Sequence, residues 1–453
     1  MRIFELIKTV TLWVLVLTSI YLTYLIWTYQ PEYRILESSE NFIESAQIGE
    51  ERPLSSFLIP SKVVIHEDEE KLWLSPMEKA YETLMEAIRE IEIDQLISTY
   101  TRPPSPENKY QGIELVFSQK LDSGWLDRLI DMNDYELPLE TVDRIILYIN
   151  ENSVSSDVII RFISLEEERM YQANTNLSKE QLKSLYNYHE ENMLTTVKAV
   201  DLGQVRESAF RNVRYFPNEL FSMVGYTYLS ESSIDPESFK QVLFGDPEFV
   251  KHYFQGNDEI YIDGSRFMSV EENKNILKYN HPTNDRPLTT PEGHVVTDSI
   301  DFINSHAGWT GEYQLDSWNH LYMYDQNDHV QFRMSVKGVP VLASNINREQ
   351  YFTVSLTRTG NQITEYIRPL NQLVERENEP IPLNFTLFSY DRIMELIDES
   401  DTIALEAIED IRIGFYMNKS PSVITFEPAW FVKDRGSWKR IARVSEGGII
   451  GLE

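Results

Sequence analysis

Cysteine is absent from all 453 residues. Its absence excludes disulfides, thiolate metal sites and cysteine nucleophiles. Positive charge is scarce: 41 Lys and Arg stand against 72 Asp and Glu, a formal net charge of −31. Such a chain repels phosphate backbones and anionic headgroups, so no nucleic acid is expected as a partner, nor a domain lying on anionic lipid. An exported domain without disulfides fits a bacterium with a single membrane better than an animal secretory pathway. The chain also lacks a G-x-S-x-G elbow, a P-loop and a G-x-G-x-x-G turn. No repeat of short fixed period and no low-complexity tract is present.

The eight histidines (66, 189, 252, 281, 294, 306, 320 and 329) are scattered. His189-Glu190-Glu191 comes nearest to a zinc helix motif but has no second histidine one turn on. His306 and His320, near Trp309 and Trp318, are expected as spatial neighbours in a structural role. Carboxylates are so numerous that pairs carry little meaning, although a glycosidase needs only two across a cleft. Asp134, Glu136 and Glu140, and the pair Asp298 and Asp301, read as solvated faces or helix starts. Asp325, Asn327 and Asp328 resemble a fragment of a calcium loop, but the glycine and the distant Glu are missing, so a turn is expected. No catalytic residue, metal or cofactor is expected.

What the chain does have is an uncharged run, Thr9 to Pro31. As a helix of 23 residues it would reach about 34 Å, enough for a hydrocarbon core of about 30 Å. Ten aliphatic residues lie between Val10 and Ile26 and favour insertion by roughly 3–6 kcal/mol. The run leads into Trp27-Thr28-Tyr29 without an A-x-A-like cleavage site, so a retained anchor is expected over a signal peptide. Tyr24, Trp27 and Tyr29 form an interfacial aromatic belt. Arg2 and Lys8 precede the run and Arg34 follows it, which places residues 1–8 in the cytoplasm and the bulk outside. Thr11, Leu15, Thr18, Ser19 and Leu22 share one stripe suited to contact with another membrane helix. The rival reading is that the hydroxyls bond their own backbone and meet only lipid.

Beyond the anchor, length and pattern predict three mixed modules: 37–205, 206–290 and 291–453. Ser75-Pro76-Met77-Glu78 predicts a capped helix running on to about Thr101, and Ser178 with Gln181 predicts another. Gly112–Phe117, Arg144–Ile149 and Asp157–Ile163 read as strands. Asp235-Pro236 and Asp246-Pro247 each predict a short helix. Phe267–Val270 and Ile276–Tyr279 read as a hairpin, with a short helix from Ser269 as the rival. The last module predicts a helix at Thr297–Ser305 and another at Asp391–Glu399. Its strands fall near His320–Tyr324, Val330–Val336, Phe352–Thr357, Glu365–Arg368, Ile411–Tyr416, Val423–Val432 and Trp438–Val444. The class is α+β with largely antiparallel sheets.

The membrane exit I-W-T-Y-Q-P-E-Y (Ile26 to Tyr33) resembles that of the YycH family of Gram-positive bacteria. Tyr261-Ile262-Asp263-Gly264-Ser265-Arg266, Leu277-Lys278-Tyr279-Asn280-His281-Pro282 and Val432-Lys433-Asp434-Arg435-Gly436-Ser437-Trp438 extend the resemblance over the whole chain. It implies a non-catalytic regulator of an essential sensor histidine kinase, YycG or WalK, that governs cell-wall metabolism. A YycI-like protein is the implied second partner, through transmembrane and external contacts. The sign of the effect does not follow, and self-association into a homo-dimer stays open. Two other classes stay open with it: a membrane-anchored wall hydrolase and an external ligand-binding module.

Overall fold

The computed structural model describes residues 2–28, 48–98, 109–150, 157–186, 194–204, 210–229, 234–271, 275–282, 293–319, 327–342, 346–371, 373, 380–399, 403, 405–420, 423–441, 443–445 and 448–450. The chain divides into two compact units, Met1–Glu44 and Ser45–Glu453.

The first unit holds helix α1, Arg2–Thr28. Its side chains are described at residue 8 and at residues 11–24, all exposed. Among the described residues no helix is long and apolar enough to cross a membrane. Residues 11–24 alone rise about 20 Å, short of a hydrocarbon core. Residues 29–31 of the expected run lie outside the described residues.

The second unit is built on two large sheets. The first uses β1 (Lys62–Asp68), β2 (Glu70–Leu74), β3 (Ile93–Ser98), β4 (Tyr110–Asp122), β5 (Thr141–Ile149), β6 (Val158–Ser164), β7 (Arg169–Thr175), β8 (Thr195–Gln204) and β9 (Arg211–Pro217). Their order is β3-β7-β6-β5-β4-β1-β2-β8-β9. Central strands such as β6, V-I-I-R-F-I-S, are apolar almost without alternation because both faces are covered. Helix α2 (Lys79–Arg89) packs through Ala80, Tyr81, Leu84, Met85 and Ile88, a stripe at helical spacing. Helix α3 (Lys179–Tyr186) buries Leu182.

The second sheet begins with β10 (Phe221–Leu229), β11 (Lys251–Gln255), β12 (Asp258–Ile262), β13 (Phe267–Glu271) and β14 (Ile276–Asn280). It continues with β15 (Tyr313–Asn319), β16 (Asp328–Val336), β17 (Val339–Leu342), β18 (Thr353–Thr359) and β19 (Gln362–Pro369). Strands β20 (Ile381–Leu387), β21 (Ile408–Lys419), β22 (Val423–Asp434) and β23 (Ser437–Ile441) complete it. The path is β11-β12-β13-β14-β19-β18-β16-β17-β21-β22-β10-β20, with β15 on β16 and β23 on β22. Only β17 and β21 pair in parallel among the described strands. Strands β10–β14 and β15–β23 therefore share one hydrogen-bonded sheet.

One apolar core runs between the sheets. Trp73 meets Phe221, and Phe216 meets Trp430, each at 6.2 Å between rings. Phe216 also stacks on Tyr390 of helix α6 (Tyr390–Asp398) at 4.4 Å. The α+β, largely antiparallel expectation agrees with this architecture.

Local expectations fared unevenly. The Ser178–Gln181 capping box forms, with both reciprocal bonds, at 2.8 and 3.2 Å. Asp235 caps α4 (Pro236–Leu243) by accepting from the Glu237 N–H at 3.0 Å. Helix α5 (Val295–Ser305) is capped by the ring Nδ1 of His294, which accepts from the Val296 N–H. Strands β13 and β14 pair antiparallel and Ser269 lies within β13, so the rival helix from Ser269 is excluded. The expected helix from Ser75 starts later and ends far earlier. Ser75 makes a turn, the helix begins at Lys79, and Ile93–Ser98 is a strand paired with β7. Ile91, Ile93 and Ile97 are β-branched, and pairing along the edge of a ready sheet overrode the helical spacing of Ile88 and Ile91. Asp246-Pro247 yields only the 3₁₀ turn Pro247–Phe249, with no side-chain cap. Residues 320–324, the expected strand, lie outside the described residues apart from the neighbouring β15.

Candidate functional site

Two places bear on function: the face of α1 and the seam between the sheets. On α1, positions 11, 15, 18, 19 and 22 fall within about 100° of one another at 100° per residue. Thr11, Leu15, Thr18, Ser19 and Leu22 thus form one exposed stripe. The Thr18 hydroxyl donates to Val14 O and the Thr23 hydroxyl to Ser19 O, both at 2.8 Å. Each oxygen keeps lone pairs that a neighbouring donor could use. Tyr24 is exposed on the helix. Trp27 lies in α1 with its side chain outside the described set, and Tyr29 lies outside the described residues.

Near the seam, charged groups sit inside the unit in matched sets. Glu114 of β4 is 1 % exposed and accepts from Arg144 at 2.6 Å, His66 at 2.9 Å, Tyr215 at 2.6 Å and Tyr110 at 3.2 Å. Burial pushes its carboxyl up, but the Arg144 guanidinium and the His66 hydrogen bond outweigh burial and hold it down at about 2. Both oxygens of this carboxylate are engaged, by four side chains, so it is a staple across β1, β4, β5 and β9, not a proton carrier. In the second sheet Arg358 is bound by Asp328 and Asp298, and Arg333 by Asp316 at 2.7 Å. Asp328 is therefore a buried ion-pair partner, not a turn residue, and Asp298 is likewise engaged.

A cleft opens where the sheets meet. Lys62, Trp73, Arg214 and Phe216 line it from the first sheet, and Gln314, Asp410 and Arg412 from the second. The Lys62 ammonium donates to the Tyr215 carbonyl and lies 4.6 Å from the Phe216 ring centre. Arg412 donates to Asp410 at 2.7 Å. The Arg214 side chain has no hydrogen-bond or ion-pair partner among the described residues, its Nε is buried, and Asp410 and Asp143 attract it only through space. Burial, then Arg214, lowers the Lys62 ammonium to about 7, with Asp410 opposing and Arg412 adding to the effect.

Trp318 meets His294 at 4.6 Å and Trp125 at 5.8 Å, while His306 stacks on Phe302 at 4.1 Å; His320 lies outside the described residues. Among the described residues no group of three or more His, Asp or Glu side chains is placed to hold a metal ion. Sequence reasoning missed Lys62, Glu114, Arg214, Asp410 and Arg412. Their signal was weak: single charges inside otherwise apolar strands, as in I-E-L-V and V-R-Y-F.

These features define a two-sheet α+β protein with one long N-terminal helix, in which the buried carboxylates Glu114 and Asp328 are bound by arginines. The description "YycH protein, N-terminal domain" matches residues 5–193, and "YycH protein, C-terminal domain" matches residues 211–448. The chain belongs to the YycH family. It is 20% identical over 477 residues to the "Two-component system WalR/WalK regulatory protein YycH" of Bacillus subtilis (strain 168), covering 99% of each chain. The crystal structure of YycH from Bacillus subtilis superposes with a TM-score of 0.67 at 16% identity, over 86% of this chain and 98% of that one, so the fold is shared. An uncharacterized protein from Eubacterium rectale ATCC 33656 aligns at a TM-score of 0.32 and 10% identity over 51% of this chain and 81% of that one, too weak to argue from.

Proposed function

We propose that the chain is a membrane-anchored, non-catalytic regulator of a sensor histidine kinase of the WalK (YycG) type that controls cell-wall metabolism. One observation carries the reading: similarity over 99% of both chains to a protein described as a WalR/WalK regulatory protein. The uncharged run Thr9–Pro31 supplies the anchor, with residues 1–8 in the cytoplasm and the sheets outside. Within helix α1 the uncharged residues 9–28 rise about 30 Å at 1.5 Å per residue, the thickness of a hydrocarbon core. Tyr24, Trp27 and Tyr29 sit at the outer interface.

The stripe of Thr11, Leu15, Thr18, Ser19 and Leu22 packs against the kinase's membrane helices and biases their two-state arrangement. A differential contact of 1–3 kcal/mol shifts such a balance about 5- to 150-fold. A YycI-like protein engages the external unit and holds or releases that contact. The test exchanges Thr11 and Thr18 for Leu in the full chain. Kinase output changes and co-purification with the kinase weakens if the stripe is the contact; unchanged values of both remove it.

A further inference from the structure

The cleft at the sheet seam has an uneven charge inventory. Lys62, Arg214 and Arg412 face it, against the single carboxylate of Asp410. That carboxylate is already bound by Arg412, and Arg412 also lies 4.0 Å from Asp316. Lys62 has a carbonyl and Arg214 has no acceptor among the described residues. Elsewhere in this unit the buried arginines Arg144, Arg333 and Arg358 have carboxylates within hydrogen-bond distance, and Arg368 is held by a carbonyl and two hydroxyls. In a chain of net charge −31, this cleft brings together two cations, Lys62 and Arg214, with no carboxylate within hydrogen-bond distance, Asp410 acting on them only through space.

The walls beside them are apolar. The Trp73 and Phe216 rings lie 5.9 and 4.6 Å from the Lys62 ammonium. The interior volume is about 60 Å³, room for about four waters. Its apolar walls suit an organic group beside a carboxylate better than a hydrated phosphate. An Arg fork matches a carboxylate's two oxygens, a Lys adds a point charge, and ring faces accept the rest of the molecule.

We propose that this cleft binds a small organic carboxylate, its anionic end held by Lys62 and Arg214 and its apolar end resting on Trp73 and Phe216. The site joins strands of both sheets, so an occupant bridges them. The inference does not rest on the kinase reading, because binding is measured without a kinase.

Burial, then Arg214, brings the Lys62 ammonium down to about 7. The charged groups facing it are Arg214 on β9 and Asp410 and Arg412 on β21. A bound carboxylate favours the protonated form, so affinity falls as pH rises above 7, by up to about tenfold per unit. The full chain in detergent micelles is titrated with sodium benzoate, and separately with sodium phosphate, at constant ionic strength. Benzoate is expected to saturate and to bind at least tenfold tighter than phosphate. Its affinity is expected to weaken between pH 6.5 and 8.5 and to drop at least tenfold in Lys62→Met and in Arg214→Gln. Thermal unfolding identifies folded variants, and Lys62→Met decides the matter if Arg214→Gln does not fold. Failure to saturate, phosphate binding as tight as benzoate, or unchanged affinity in a folded Lys62→Met overturns the proposal.

Discussion

Replacing Glu114 by Gln keeps the shape of the side chain and removes the charge that four donors converge on. Arg144, 6 % exposed, is then left in the interior without a counter-charge. Breaking a buried ion pair from one side costs about 3–5 kcal/mol. Unfolding entropy is about 2.1 cal/mol/K per residue, so a unit of roughly 400 residues melting as one loses about 4–6 °C. The pH dependence is a second, independent reading. In the folded chain the Arg144 guanidinium and the His66 hydrogen bond hold the Glu114 carboxyl down at about 2, below its ordinary 4.5. Its folded value is depressed, so its contribution is complete above about pH 5 and is lost as pH falls toward 2. The difference corresponds to about 3 kcal/mol. Thermal unfolding of the full chain and of Glu114→Gln, followed at pH 7 and at pH 2.5, measures both effects. The gap should be largest at pH 7 and shrink at pH 2.5, where the native carboxyl begins to protonate. A Gln variant melting within about 1 °C of the parent at pH 7, or a gap that does not change with pH, would refute the assignment of this cluster as a staple.

Three further outcomes follow from the same geometry. Gly112→Ala would place a Cβ 2.1 Å from Leu147 O, so β4 and β5 must separate; a loss above about 2 kcal/mol and faster amide exchange in β5 are expected. Arg358→Met leaves Asp328 buried without its partner and should cost about 3–5 kcal/mol in denaturant unfolding. Lys62 has its folded value lowered to about 7 from 10.5, so the folded state binds fewer protons than the unfolded one between those pH values and stability rises with pH across them. Lys62→Met should therefore raise the melting temperature at pH 6–7 by a few degrees, and the gain should fade toward pH 10; a destabilised Met variant at pH 7 contradicts it.

The sequence was most readable where one local signal and one burial face agreed. The capping box at Ser178 and Gln181, the Asp235-Pro236 start and the apolar strand Val158–Ser164 form as their residues suggest. It was least readable where a distant partner decided the outcome. Ile93–Ser98 became a strand because β7 offers it an edge, which no window of nearby residues contains. The seam cleft was hidden for the same reason. Lys62 and Arg412 are 350 positions apart, and each sits at a strand position that reads as solvent-facing until the second sheet is packed on the first. The stripe on α1 was legible from spacing alone, because residues 11, 15, 18, 19 and 22 align on any regular helix.

The central claim is that the N-terminal helix does more than anchor. The direct measurement replaces residues 9–31 with an unrelated transmembrane segment of equal length, leaves residues 32–453 intact, and records phosphorylation of the kinase's response regulator beside the native chain. The account predicts that regulation is lost while the protein stays in the membrane at normal abundance. Full regulation by the exchanged chain would contradict it.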